Sequence, residues 1–236
     1  MDWINDNVNN YEVIPPAAID VNLCGLNNPV FGQNSSDMNG VFNDLMCAQC
    51  NQPQINADNF FFADDQTIGS ICWVGYYFGA ATDCTPASTP TFTITYYADN
   101  AGLPGAILAT FSLVPTAIPT GNIIGGANQT VFTAEHAPVD FLAGPEYWVA
   151  IYTTIPDAAA PCDYAWDVSN EGDGFSSVAE MFPTGWVASG TDYTFFLGST
   201  ALIPTLSQWG IMVLALLLII IGVVGVKVPY TRLKSI

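Results

Sequence analysis

The chain is 236 residues long and carries 21 Asp and Glu against 3 Lys and Arg, a formal charge of −18. All three cations, Lys227, Arg232 and Lys234, fall near the carboxyl end, so residues 1–226 have no Lys or Arg to neutralise phosphates; this excludes nucleic-acid binding and removes the usual donors of phosphoryl-transfer sites. Half the residues are hydrophobic and 13% are aromatic, which excludes a disordered acidic tail, while a charged fraction of only 10% suits a secreted or surface protein.

Met1–Asp20 has neither the basic start nor the apolar run of a signal peptide, so a true start upstream of Met1 is expected. Residues 1–58 are Asn-rich, broken by Pro15-Pro16 and poor in periodic apolar runs; they read as an irregular N-terminal region. Cys24, Cys47, Cys50, Cys72, Cys84 and Cys162 all precede the cations, and an even count on an oxidising side predicts structural disulfides. Six cysteines allow fifteen pairings, among which spacing does not choose. The N-terminal region is expected to be stapled to the body through Cys24, Cys47 or Cys50. Cys47-Ala-Gln-Cys50 is a C-x-x-C, but it lacks both a βαβ setting for redox chemistry and a second ligand pair for zinc.

From Asn59 the texture changes to short aromatic and β-branched runs separated by turn residues, at 59–62, 67–78, 91–98, 106–114, 129–134, 139–142, 146–154, 163–168 and 192–198. Period-2 alternation is clearest in Phe92, Ile94, Tyr96 and in Tyr147, Val149, Ile151. Asp99–Gly105 supplies turn residues between two of the runs. Sustained helical periodicity is missing from 59–199. The expected fold is all-β: an antiparallel, jelly-roll-like β-sandwich over 59–200. The pattern of Trp73, Gly75, Tyr76 and Tyr77, then Phe92–Gly105, Glu146-Tyr147-Trp148 and Asp192–Gly198 resembles modules of secreted bacterial proteins with C-terminal sorting tags. That resemblance implies a fold and no catalytic activity.

Several constellations bear on function. Asp163, Asp167, Asn170, Glu171 and Asp173 put oxygen ligands on a Gly-containing loop and form a candidate calcium site, though the spacing is not that of an EF-hand; Asp64-Asp65 is a second contributor. Trp166 and Trp186, near loops, are candidates for stacking on a sugar of an extracellular polysaccharide. His136, beside Pro138, reads as a surface residue, and no nucleophile elbow accompanies it. Two carboxylates suffice for glycoside hydrolysis and this chain always offers a pair, so a hydrolase stands as a distant alternative to a non-enzymatic protein.

Trp209–Val226 is an uncharged run of eighteen residues. As a helix it spans roughly 27 Å, close to the hydrocarbon thickness of a bilayer. The cations that follow put the short tail in the cytoplasm and the body outside. Pro204 breaks any helix arriving from upstream, and Trp209 stands where an interfacial anchor belongs. Ile203-Pro204-Thr205-Leu206-Ser207-Gln208-Trp209-Gly210, the apolar run and the basic tail together resemble the IPTL-CTERM sorting domain of bacterial surface proteins, over about 203–234. The resemblance implies recognition by an exosortase-type membrane protease, with cutting near the motif. Cations spread over 227–234 replace the family's usual tight Arg cluster. The expected organisation is thus an N-terminal region (1–58), a sandwich (59–200) and a sorting signal (203–236). The expected role is a structural or adhesive surface protein, with extracellular carbohydrate binding as the alternative.

Overall fold

The computed structural model describes residues 24–26, 28–42, 54–79, 90–124, 126–153, 162–180, 185–200 and 213–219. The chain divides into two units, 1–200 and 201–236. Described residues of the first form fourteen strands: β1 (Pro29–Gln33), β2 (Ser35–Phe42), β3 (Gln54–Phe61), β4 (Gln66–Gly79), β5 (Phe92–Asp99), β6 (Pro104–Leu113) and β7 (Thr116–Ile124). The series continues with β8 (Ala127–Phe141), β9 (Glu146–Thr153), β10 (Cys162–Ser169), β11 (Ser176–Glu180), β12 (Trp186–Ser189), β13 (Asp192–Tyr193) and β14 (Phe195–Ser199).

The strands make two antiparallel sheets. The six-stranded sheet runs β12-β11-β3-β9-β5-β6. The eight-stranded sheet is built on β1-β14-β4-β10-β13, with β8 along β4, β7 outside β8, and β2 beside β10. This strand number exceeds the eight of a jelly roll. Alternation sends Phe60, Ile94, Tyr96, Val149 and Ile151 from one sheet against Ile71, Trp73, Phe132, Trp166, Phe195 and Leu197 from the other, forming one core. Phe60 is its hub, with ring contacts to Phe31, Phe62, Tyr96, Phe141, Tyr147 and Phe195 at 5.3–6.3 Å.

Each of the nine predicted runs overlaps a strand, but 129–134 and 139–142 are one strand and 192–198 is two, β13 and β14. β4 and β8 pair Ile68 with Val139 and then Ser70 with Glu135, so β8 bulges through His136, Ala137 and Pro138. A bulge is where a sheet tolerates proline. Gly69 sits opposite, where an added Cβ would lie 2.0 Å from Thr200 Cγ2. The slip reverses the parity of β4, so Ile68 and Ile71, three apart, both face the core. The turn at Asp99–Gly105 also forms, with positive φ at Ala101 and Gly102 and the Gly102 N–H on the Asp99 carboxylate at 3.1 Å.

The region read as irregular is a correction: β1, β2 and the start of β3 lie within it. Phe31 pairs with Leu197 and packs on Phe60, Phe62 and Phe195, while Val41 pairs with Trp166. Cys24 bonds to Cys72 of the central strand β4, joining the N-terminal segment to the body as expected. The bond lies in a second small core of Val74, Val131 and Phe196 on the outer face of the larger sheet. Cys162 is also disulfide-bonded; Cys47, Cys50 and Cys84 lie outside the described residues.

In the second unit, 213–219 is helical. No helix among the described residues is long and apolar enough to cross a membrane, and most of the predicted 209–226 span lies outside them.

Candidate functional site

β3 and β13 belong to different sheets, and the fully buried Asp58 side chain joins them. Its Oδ2 accepts the Tyr193 N–H at 2.7 Å, and its Oδ1 accepts the Asn59 N–H at 2.9 Å. The buried Gln33 amide, with its nitrogen turned inward, donates to Asp58 Oδ2 and to the Tyr193 carbonyl, both at 3.1 Å. One carboxyl thus ties β1, β3 and β13. Beside it the segment 170–175 closes over Asp192, which accepts from Gly174 N at 2.8 Å and Phe175 N at 3.2 Å. Gly172 permits this approach: a Cβ there would lie 2.2 Å from Asp192 Cγ. Glu171 accepts the Asn34 N–H at 2.9 Å. Asp173 and Glu146 both accept from the Asn59 amide nitrogen.

The result is a cavity of about 290 Å³ at the seam of the sheets. Phe31, Phe60 and Phe61 form an apolar wall, and Glu171 and Asp173 an anionic one. Such a lining suits a small cationic or hydroxyl-rich group.

Burial pushes the Asp58 carboxyl well above the usual carboxylate range; the N–H donors of Tyr193 and Asn59 oppose the rise, and the charges of Asp192 and Asp173 add to it. Burial also raises Asp192, against the N–H groups of Gly174 and Phe175. A carboxyl whose pKa is higher folded than unfolded contributes stability that is full below its unfolded pKa and lost as pH rises through the folded value. Asp58 therefore stabilises the fold on acidification from neutral pH. The Asp58→Asn variant, which cannot titrate there, is expected to show a smaller gain in Tm between pH 7.5 and 5 than wild type, whatever its offset at either pH. Equal gains in thermal melts would remove Asp58 from this role.

The predicted residues separate. Asp163 and Asp167 are buried on the outer face of β10, opposite the core side chains of Tyr164 and Trp166. Asp167 Oδ2 accepts from Gln129 Nε2 at 2.8 Å. Gln129 Oε1 in turn accepts from Thr120 and Asn122, fastening the β7–β8 hairpin. Asn170, Glu171 and Asp173 lie beyond the strand, and only the last two line the cavity. Among the described residues no three His, Cys, Asp or Glu side chains converge to hold a metal ion. Asp65 accepts the Ala143 N–H at 2.8 Å.

Trp166 is fully buried, stacked on Tyr193 at 4.7 Å with Nε1 on the Thr194 carbonyl, so its ring is not open to a ligand. Trp186 is half-buried on the outer face of the six-stranded sheet, edge-on to Tyr97 at 5.6 Å and near Tyr152. His136 is no free surface residue. It stacks on Phe111 at 4.5 Å, its Nδ1–H meets the Ala137 carbonyl and its Nε2 accepts the buried Tyr96 hydroxyl, both at 2.9 Å. Burial lowers its pKa.

Asp58, Gln33 and Asp192 are site residues that the sequence reading did not single out as such. The available signal was Asp58 just before the aromatic run Phe60-Phe61-Phe62, a carboxylate beside aromatics.

Ile203, Pro204, Thr205, Leu206, Ser207, Trp209 and Gly210 lie outside the described residues. No curated protein matches this chain. Its carboxyl end does find a match: residues 203–226 fit the IPTL-CTERM motif, so the chain carries a C-terminal sorting tag of that kind.

Proposed function

We propose that the chain is a non-enzymatic, exported bacterial surface protein, structural or adhesive, delivered by its C-terminal tag. The carrying observation is the IPTL-CTERM match at 203–226, which precedes Lys227, Arg232 and Lys234. In this reading 209–226 enters the bilayer with the cations on the cytoplasmic side, because a basic tail resists translocation. An exosortase-type protease then cuts near Ile203–Gly210. The acidic body is left on the outer side, where its disulfides persist.

The test is expression of the full chain, preceded by a secretory signal, in cells with and without such a protease. The expected result is an envelope-associated product that becomes shorter at its carboxyl end only when the protease is present. Pro204→Ala with Trp209→Ala should stay full length. A product of identical mass in both hosts would overturn the reading, as would a cytosolic body with reduced thiols.

A second reading, extracellular carbohydrate binding, is favoured by the aromatic cluster of Trp186, Tyr97 and Tyr152 on an outer sheet face. If it holds, glycan-array binding is lost in Trp186→Ala while the melting curve is kept; an array blank for wild type removes it.

A further inference from the structure

A strand at the edge of a sheet offers unpaired N–H and C=O groups, and proteins usually blunt such edges with charge, proline, bulges or short length. β12 is only four residues long. β7 contains Pro119, and its ladder to β8 is interrupted between Pro119 and Ile123. β2 contains Asp37. β6 differs in being ten residues long and uncharged, with Pro104 only at its start; its ladder slips twice near that end, and β5 is its only paired strand among the described residues.

The register of β6 against β5 is regular from Ala109 to Leu113 and slips beside Leu108. There Ile107 and Leu108 are 64% and 45% exposed. Val114, also exposed, follows the strand, while the exposed Ile118 and Ile123 belong to β7 of the other sheet.

Charge says what covers them. Of the 21 carboxylates none lies in 100–134, while residues 1–226 hold no Lys or Arg. Two copies meeting through surfaces that carry these carboxylates bring them together without a cation between them, which opposes contact. A basic partner would seat on the acidic surfaces and gain nothing from a neutral strand. Of the carboxylate-free edges, β6 is the longest, β7 and β12 being nine and four residues, and there a like-charged copy meets no carboxylate on the strand itself.

We propose that β6 is a self-association edge: two copies of the chain pair β6 to β6, antiparallel about a two-fold axis, covering Ile107 and Leu108. Antiparallel pairing of one strand with itself makes the contact isologous, so it closes as a dimer. The two six-stranded sheets then run on as one. This holds whether or not the tail is cut.

The test is sedimentation of the full chain in detergent micelles across protein concentration. Wild type should dimerise, and Leu108→Lys and Thr110→Lys should each weaken the dimer at least tenfold with melting curves unchanged. Val187→Lys, on exposed β12, should leave it intact. A monomer at every concentration overturns the proposal. So does a dimer indifferent to both β6 variants, which would assign association to the tail, or one weakened equally by Val187→Lys.

Discussion

Replacing Phe60 by Ala is expected to lower the unfolding free energy by about 3–5 kcal/mol. The ring is 1% exposed and touches six other aromatic rings drawn from both sheets and from the N-terminal strand β1. Truncation removes its own transfer energy and leaves a void that these flat side chains cannot close by a small shift. Edge-to-face pairs add about 0.5–1.5 kcal/mol each beyond buried area, not all additively. The adjacent Phe61 is 63% exposed, and Phe61→Ala should change stability by less than about 0.5 kcal/mol. Urea unfolding followed by tryptophan fluorescence reads both. A loss below about 2 kcal/mol for Phe60→Ala would mean that β1 and β14 collapse into the gap, and that the core is softer than its packing indicates.

The second large effect concerns Cys24 and Cys72. The bond joins positions 48 residues apart, and chain-entropy closure of such a loop contributes about 4 kcal/mol. The Cys24→Ser, Cys72→Ser double variant should lose about 2–4 kcal/mol, since measured effects often fall short of that model. It is a cleaner test than reductant, because Cys162 is also in a disulfide. The loss should be visible as a lower melting temperature with the β signature kept at low temperature. If the melt does not move, Thr133 Oγ, which donates to the Cys24 carbonyl at 3.0 Å, and the apolar contacts around it hold the segment without the bond.

The sequence was legible where strands are half-buried and aromatic. Phe92, Ile94 and Tyr96 alternate inward as their spacing predicts, and so do Tyr147, Val149 and Ile151. β1, β2, β7, β11 and β12 escaped because much of their length is polar, small or solvent-facing; β7 is mostly exposed and carries a proline. Their signal is the hydrogen-bonding partner, which is distant in sequence. The parity of Asp163–Val168 did contain the fate of Trp166, since Tyr164 two residues earlier turns to the same side. Reading Trp166, near a loop, as free to stack on a sugar overlooked that period. The acid cluster was opaque for another reason: Asp58, Asp192 and Asp173 are neighbours only after two sheets close on each other. The sorting tag was fully legible because it is linear and needs no fold.

β14 ends at Ser199, just before the residues that lead into the tag, and it lies between β1 and β4. A molecule held by its carboxyl end is therefore tethered through an interior strand. Tension along that tether acts lengthwise on two ladders at once and loads them in shear, where a strand at the rim would peel away bond by bond. Load arriving from the carboxyl end is thus shared between the two strands that flank β14.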